Sequence, residues 1–238
     1  MAGAMRSSGH SREAVSPRDQ PAYTLAEAAR YLKLPAATLR SWVVGRGYPT
    51  ASGVERFKPL IHLPERQPPI LSFSNLIEAH VLRSLRTEHG VSVKALRQAS
   101  RYAERTLCVD RLLLSKELRT RGGEIFLDRY GALINLSASG QLAMRRVFNE
   151  HLKRVVWDAG QFPARLYPFL TADAPVSDRG IAIDPTIAFG RPVVLRKGVS
   201  THAIVERIDA GETVPELAAD YDLTREEIEE AVLYERAA

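Results

Sequence analysis

A single cysteine, Cys108, stands in the 238 residues of this chain. One thiol closes no internal disulfide, and such sparing use fits a reducing compartment, the cytoplasm. Long apolar runs are missing too. Nothing approaches the roughly 18 residues a membrane helix needs, and the first 20 residues hold no apolar stretch of the signal-peptide kind. Those residues are mostly Ser, Gly, Arg and Pro, with little to bury, and read as a flexible tail. The usual parts of a catalyst are also lacking. His10, His62, His80, His89, His151 and His202 never fall at metal-ligand spacing with one another or with Cys108. After Gly190 the next lysine is Lys197, too far on and without the ending of a phosphate loop. No Ser sits in a nucleophile elbow. We therefore expect no enzyme, no metal and no cofactor.

What is present is an ordinary globular composition, 45% apolar and 26% charged, with a marked charge gradient along the chain. Residues 1–120 hold 19 Lys and Arg against 10 Asp and Glu, whereas residues 181–238 hold 6 against 12. A basic front suits nucleic acid, and an acidic back must be employed otherwise. Arg outnumbers Lys 27 to 6, a bias that suits phosphate forks but that a GC-rich genome would also produce.

Two stretches share one frame. Residues 24–43, TLAEAARYLKLPAATLRSWV, align without a gap on residues 213–232, TVPELAADYDLTREEIEEAV. Thr24 and Thr213, Glu27 and Glu216, Ala29 and Ala218, Leu34 and Leu223, Leu39 and Ile228, and Val43 and Val232 coincide. Each copy opens on a capping box, Thr followed three residues later by Glu. In the first, Leu34-Pro35 breaks the helix and a second helix is expected over about 36–44, with Leu39, Trp42 and Val43 inward. Two short helices across a tight turn make a helix-turn-helix. Ala37, Thr38, Arg40 and Ser41 are left outside, a set that can donate to phosphates and base edges. The Gly-rich segment 45–63 follows as a β-hairpin wing carrying Arg46, Arg56 and Lys58. Helices over 72–90, closed by Gly90, and from Ser92 onward come next. Thr38, Arg40, Ser41, Arg46, Arg56 and Lys58 are thus the candidate DNA contacts.

The order of these parts (TLAEAARYLKLPAATLRSW, a wing, a long helix and a GVSV break) resembles the winged-helix head of the MerR family over residues 22–107. The wing departs from that family, with VERFK at 54–58 in place of a Gly-Tyr-Arg-like end. In the middle region, 108–170, EIFLD (124–128) and ALINL (132–136) alternate as a hairpin would. GQLAMRRVFNEHLKRVVW (140–157) reads as an amphipathic helix. Its stripe of Leu142, Ala143, Val147, His151 or Leu152, and Val155 is either core or a dimer seam, opposite a basic face of Arg145, Arg146, Lys153 and Arg154. TADAPVSDRG (171–180) is a linker.

The final unit, 181–238, should hold short strands at IAID and RPVV and helices over about 201–209, 213–220 and 224–235. Its expected core is Ala203, Ile204, Ile208, Leu217, Tyr221, Leu223, Ile228, Val232 and Leu233. Glu226, Glu227, Glu229, Glu230 and Glu235 would then face outward and repel DNA phosphate. The string Ile183-Asp184-Pro185, Gly190-Arg191-Pro192-Val193-Val194, Ala210-Gly211-Glu212 and YDLTREEI (221–228) is similar to the family of domain of unknown function 433, often regarded as antitoxins of the VapB kind. That family's Gly-Thr-Arg after the Pro-Val run is Leu195-Arg196-Lys197-Gly198 here. The resemblance implies an antitoxin that neutralises a PIN-like, metal-dependent ribonuclease toxin and represses its own operator DNA as a homodimer. It implies toxin contacts at Arg191, Arg196, Lys197, Glu226 and Glu230. A MerR-like regulator with a ligand-sensing middle region and an adaptor that binds two proteins remain alternatives. The fold class expected is α+β, mostly α.

Overall fold

The structure is a computed structural model that describes residues 16–50, 53–85, 93–168 and 180–237, and for residues 48–50 and 54–57 the backbone alone. Strand β1 (Tyr23–Thr24) leads into α1 (Leu25–Tyr31) through the expected capping box. The Glu27 N–H donates to Thr24 Oγ1 at 3.2 Å, and the Glu27 carboxylate accepts the Thr24 N–H at 2.9 Å. Helix α2 (Ala36–Val43) follows Pro35 and buries Leu39, Trp42 and Val43. Removing a side chain as large and as enclosed as Trp42 would cost about 3–5 kcal/mol.

The hairpin of β2 (Arg46–Thr50) and β3 (Gly53–Phe57) is the wing, with Arg46 paired to Phe57 and Gly47 to Arg56. The chain then folds back onto α2, where the Leu60 and Ile61 N–H groups both donate to the Trp42 carbonyl. The wing is thereby anchored to the end of α2. Strands β4 (Glu65–Arg66) and β5 (Pro69–Leu71) complete a small antiparallel sheet in the order β1-β5-β4.

Helix α3 (Phe73–Ser84) is the central rod, buried nearly all round. Its apolar stripe, with Leu85 just beyond, is fully enclosed as expected, and its polar residues are buried and partnered, as burial demands. Asn75 donates to the His62 carbonyl and to Glu78, Arg111 pairs with Glu78, and Ser74 donates to Asp19. That last bond, with the ion pair Arg18–Asp158, ties residues 16–20 to the body, a stretch expected to belong to a flexible tail. Gly90, Ser92, residues 1–15 and residues 171–179 of the expected linker lie outside the described residues.

Helix α4 (Val93–Leu107) packs against α5 (Arg121–Leu133). Helix α5 replaces the hairpin expected over 124–136. The buried residues there are Gly122, Gly123, Phe126, Leu127, Tyr130 and Gly131, pairs recurring every four residues, which is a helical face and not a pleat. Gly123 lets the helix start against the Leu118 carbonyl, where a Cβ would collide. Helix α6 (Ala138–Leu152) is shorter than expected and turns a different face inward: Met144, Phe148 and Leu152 are buried, while Leu142 and Val147 are exposed. A true hairpin comes next, β6 (Val155–Trp157) with β7 (Pro163–Leu166).

The last unit pairs β8 (Ile181–Ala182) with β9 (Val193–Val194), and β9 with β10 (Val199–Ser200). Then come α7 (Thr201–Asp209), α8 (Val214–Tyr221) and α9 (Arg225–Arg236), close to the expected spans. Val194, Ile204, Leu217, Leu223, Ile228 and Ala231 form a separate small core. Leu233, expected inside it, is exposed, and Tyr234 is buried in its stead. Helices thus predominate over small antiparallel sheets among the described residues, the expected α+β, mostly α class.

Candidate nucleic-acid and protein interfaces

The repeated frame closes the same way in both copies. Lys33 and Asp222 both take the left-handed backbone, at φ 51° and 50°. The Leu34 N–H donates to the Ala29 carbonyl at 2.9 Å, and the Leu223 N–H to the Ala218 carbonyl at 3.0 Å. The Glu216 carboxylate accepts the Thr213 N–H at 2.8 Å, matching Glu27 and Thr24. Like caps and like turns therefore set α1 against α2 and α8 against α9 from the same local chemistry, and the copies part company only at their surfaces.

On the first copy, Ala36, Ala37 and Arg40 are exposed and Thr38 and Ser41 half-buried, so α2 presents a lip of small side chains with one guanidinium. The Ser41 hydroxyl donates to the Thr38 carbonyl at 2.7 Å, which commits its proton to the helix. Arg46 and Lys58 are exposed at the two feet of the wing. Arg56 stands opposite Gly47 on β3, and its side chain lies outside the described residues. The lip and the wing feet follow one another along the chain and share the Trp42 anchor, an arrangement suited to phosphates and base edges.

The second copy is busier. Arg196 donates from Nε and Nη2 to the two Glu227 oxygens at 2.9 and 2.7 Å, and again to the Asp222 carbonyl at 2.6 Å. That fork holds the Glu227 carboxyl below its usual range. Lys197 pairs with the Asp222 carboxylate, which it likewise holds low. Arg225 pairs with Glu229, and Glu235 accepts from Thr201 at 2.6 Å. Glu230 lies half-buried against Gly180, and burial pushes its carboxyl up. The acidic face is thus narrower than expected, because Glu227 and Glu235 are engaged internally and Glu230 is turned partly inward. Of the residues named as partner contacts, Arg191 and Glu226 stand exposed without an ion pair among the described residues, whereas Arg196 and Lys197 brace the α8–α9 turn.

One residue was missed. Phe189 is 91% exposed, the barest large apolar side chain among the described residues. It sits in a turn where Ala188, Phe189 and Gly190 all have positive φ, 46°, 56° and 75°. A bulky side chain in that region stores strain that the surroundings must hold. The holding contact is Gly190, seated where a Cβ would strike the Tyr23 hydroxyl of β1. The signal available in the sequence was an aromatic beside Gly190 and Arg191 with no periodic apolar neighbours.

The two copies are joined. Tyr234 donates to the Tyr31 carbonyl at 3.0 Å, and Lys33 lies over the Tyr234 ring at 4.2 Å. Arg165 pairs with Asp184 at 2.9 Å beside the bridge between Leu166 and Ile183. No group of three His, Cys, Asp or Glu side chains among the described residues could hold a metal ion, and no helix among them is long and apolar enough to cross a membrane.

Comparison with known families matches two segments of the chain. Residues 21–100 match the family described as "Putative DNA-binding HTH domain", and residues 181–234 match "Protein of unknown function (DUF433)". The chain is 28% identical over 232 residues to the "Putative antitoxin VapB45" of Mycobacterium tuberculosis, spanning 90% of this chain and 93% of that protein. It is 26% identical over 230 residues to the "Uncharacterized protein Rv2308" of the same organism, spanning 91% and 90%. The X-ray crystal structure of Rv2018 from Mycobacterium tuberculosis superposes with a TM-score of 0.63 at 23% identity, over 90% of this chain and 98% of that one, a likeness of fold.

Proposed function

We propose that this chain is a DNA-binding antitoxin: the first copy holds operator DNA and the C-terminal unit holds a PIN-like ribonuclease toxin. Two chains then occupy a palindromic operator as a homodimer and repress their own promoter, two-fold symmetry of the protein meeting that of the site. The observation that carries the reading is one two-helix frame, closed by the same caps and turn, in a basic and an acidic edition within a single chain. That chain aligns over nine-tenths of its length with a protein named as an antitoxin. Phosphate attracts the first edition and is repelled by the second, so the second is free for a protein. In the turn before β9 the same C-terminal unit also exposes Phe189 and Arg191, an aromatic anchor and a guanidinium of the kind interface centres favour. A metal-dependent ribonuclease fits this surface by charge where its cationic RNA path meets the glutamates and its carboxylate metal ligands meet Arg191.

The test is co-expression with the products of the neighbouring genes, followed by size-exclusion chromatography and a growth assay. The reading expects co-elution with a small nuclease that arrests growth when expressed alone and is silenced by this chain. A chain that elutes alone while still binding its own promoter would overturn it and favour a regulator with a sensing middle region.

A further inference from the structure

Helix α4 carries Lys94, Arg97, Arg101 and Arg105 at intervals of three or four residues, which places them on one face. Arg101 and Arg105 border a cleft of about 570 Å³ between α4 and α5, closed on the far side by Arg129 and floored by Gln98, Tyr102 and Thr106. Among the described residues, no carboxylate lines it. Arg18, Arg111, Arg145, Arg165, Arg196, Arg207, Arg225 and Arg236 each form an ion pair with Asp or Glu, whereas Arg101, Arg105 and Arg129 form none among the described residues. Arg129 is also steered: its guanidinium lies 5.3 Å from the centre of the half-exposed Tyr102 ring, which sets the fork facing the cleft at little entropic cost. Three like charges converge from two helices on one concavity, and the carboxylate that attracts Arg101, Glu104, lines the neighbouring hollow instead.

The cleft does not stand alone. Arg101 also borders the neighbouring hollow of about 650 Å³, whose wall runs through Arg97 to Lys58 at the foot of the wing. Arg97 donates to the Lys58 carbonyl, so the stripe on α4 is physically attached to the wing. Cations thus line a path from the wing foot along α4 to α5, past a hollow that also holds Glu78, Glu104 and Asp110 beside Arg66 and Arg111.

We propose that the α4–α5 cleft, through Arg101, Arg105 and Arg129, is a phosphate-binding site that grips the backbone of duplex DNA beyond the stretch faced by α2. This rests on the reading that the first copy holds DNA, and it adds an anchor that the helix-turn-helix alone does not contain. It makes the footprint longer than α2 and the wing would cover, and it makes the added affinity independent of base sequence.

The test uses the full chain and a fluorescein-labelled, mixed-sequence duplex of about 40 base pairs, titrated between about 50 and 200 mM NaCl. The slope of log affinity against log salt becomes shallower by about 0.9 for each phosphate that the protein no longer neutralises. The triple variant Arg101→Gln/Arg105→Gln/Arg129→Gln should make it shallower by roughly 2 to 3, and the triple Lys variant, which keeps the charge, should restore most of it. Arg40→Ala serves as the reference. A Gln variant with the wild-type slope, beside an Arg40→Ala protein that binds less well, would overturn the cleft site and leave the helix-turn-helix standing. A Gln variant that changes only the mass in light scattering would overturn it in favour of contact with another chain. No DNA affinity in wild type would overturn both. Should the triple variant not fold, Arg129→Gln alone decides, with a slope about one unit shallower or unchanged.

Discussion

Lowering the pH from 7 to 5 should cost this protein about 2 kcal/mol of stability through His80 alone. The ring is fully buried between α3 and α6, with Nε2 2.9 Å from the His151 carbonyl oxygen. That oxygen only accepts, so Nε2 carries the proton and Nδ1, which has no partner among the described residues, is bare. Charging the ring would place a second proton in a dry site beside His151, with Arg154 and Arg83 adding repulsion. Burial first, and these neighbours after it, hold the imidazole down to about 3. Unfolded, it titrates near 6.5. The folded value is the lower one, so the unfolded chain takes up the proton first. The stability is complete above about 6.5 and drains away as pH falls toward 3, at about 1.4 kcal/mol per unit. At pH 5, some one and a half units into that window, the loss is about 2 kcal/mol. Urea unfolding followed by circular dichroism at both pH values measures it in wild type and in His80→Gln. The variant should lose about 2 kcal/mol less between the two conditions, whatever its own starting stability. His151, held at about 4 by burial but partly exposed, contributes in the same sense to both proteins. Equal acid losses in the two proteins would refute the reasoning.

Arg40→Ala should make the salt dependence of DNA binding about one unit shallower, and an unchanged slope in a fluorescence titration would take Arg40 out of the interface. Phe189→Ala should weaken the complex with the protein partner by about tenfold or more while leaving the melting temperature nearly unchanged, since the ring is exposed and Ala keeps the Cβ that strains the turn; isothermal titration and a thermal melt read the two effects. Tyr234→Phe leaves the Tyr31 carbonyl without its donor and should cost about 1 kcal/mol, visible as a lower melting point. Arg196→Ala with Lys197→Ala should lower the melting point by loosening the α8–α9 turn; a partner affinity that falls at an unchanged melting point would instead return these two residues to the interface.

Much of the fold could be read from short-range chemistry. The capping boxes at Thr24 and Thr213 and the break at Leu34-Pro35 are decided within four residues, and α2, α8 and α9 lie within a residue or two of their expected spans. Helix α5 was misread because the short apolar runs of EIFLD and ALINL on either side of Arg129-Tyr130-Gly131 look like two strands and a turn locally, while the buried face through Phe126 and Tyr130 is chosen by α4 and α6. On α6 the core alternative fails at Leu142 and Val147 for the same cause, while Leu152 is buried as that alternative expects. Leu142 and Val147 look like a stripe until Met144 and Phe148 are seen to meet Gly131 and Phe126. The positions of Arg40, Arg46 and Lys58 were readable because exposure on a short helix or a hairpin foot follows from periodicity. The internal forks of Arg196 and Lys197 were not, since their carboxylate partners stand 25 to 31 residues away. Phe189 was missed for the opposite reason, as its one mark in the sequence is the lack of periodic apolar neighbours beside Gly190 and Arg191.

The contact of Tyr234 with Tyr31 has a consequence for regulation. It ties the last helix of the acidic edition to the first helix of the basic one, so neither face can shift without the other feeling it. Any partner that alters the affinity for DNA by some factor must have its own affinity altered by DNA through that same factor. A joint with a single arrangement sets that factor near one, and the chain then acts as a passive rivet between two ligands. A second arrangement of Lys33 and Tyr234, reached when a protein seats on α9, would convert the rivet into a governor whose grip on the promoter tracks how much of that protein is present.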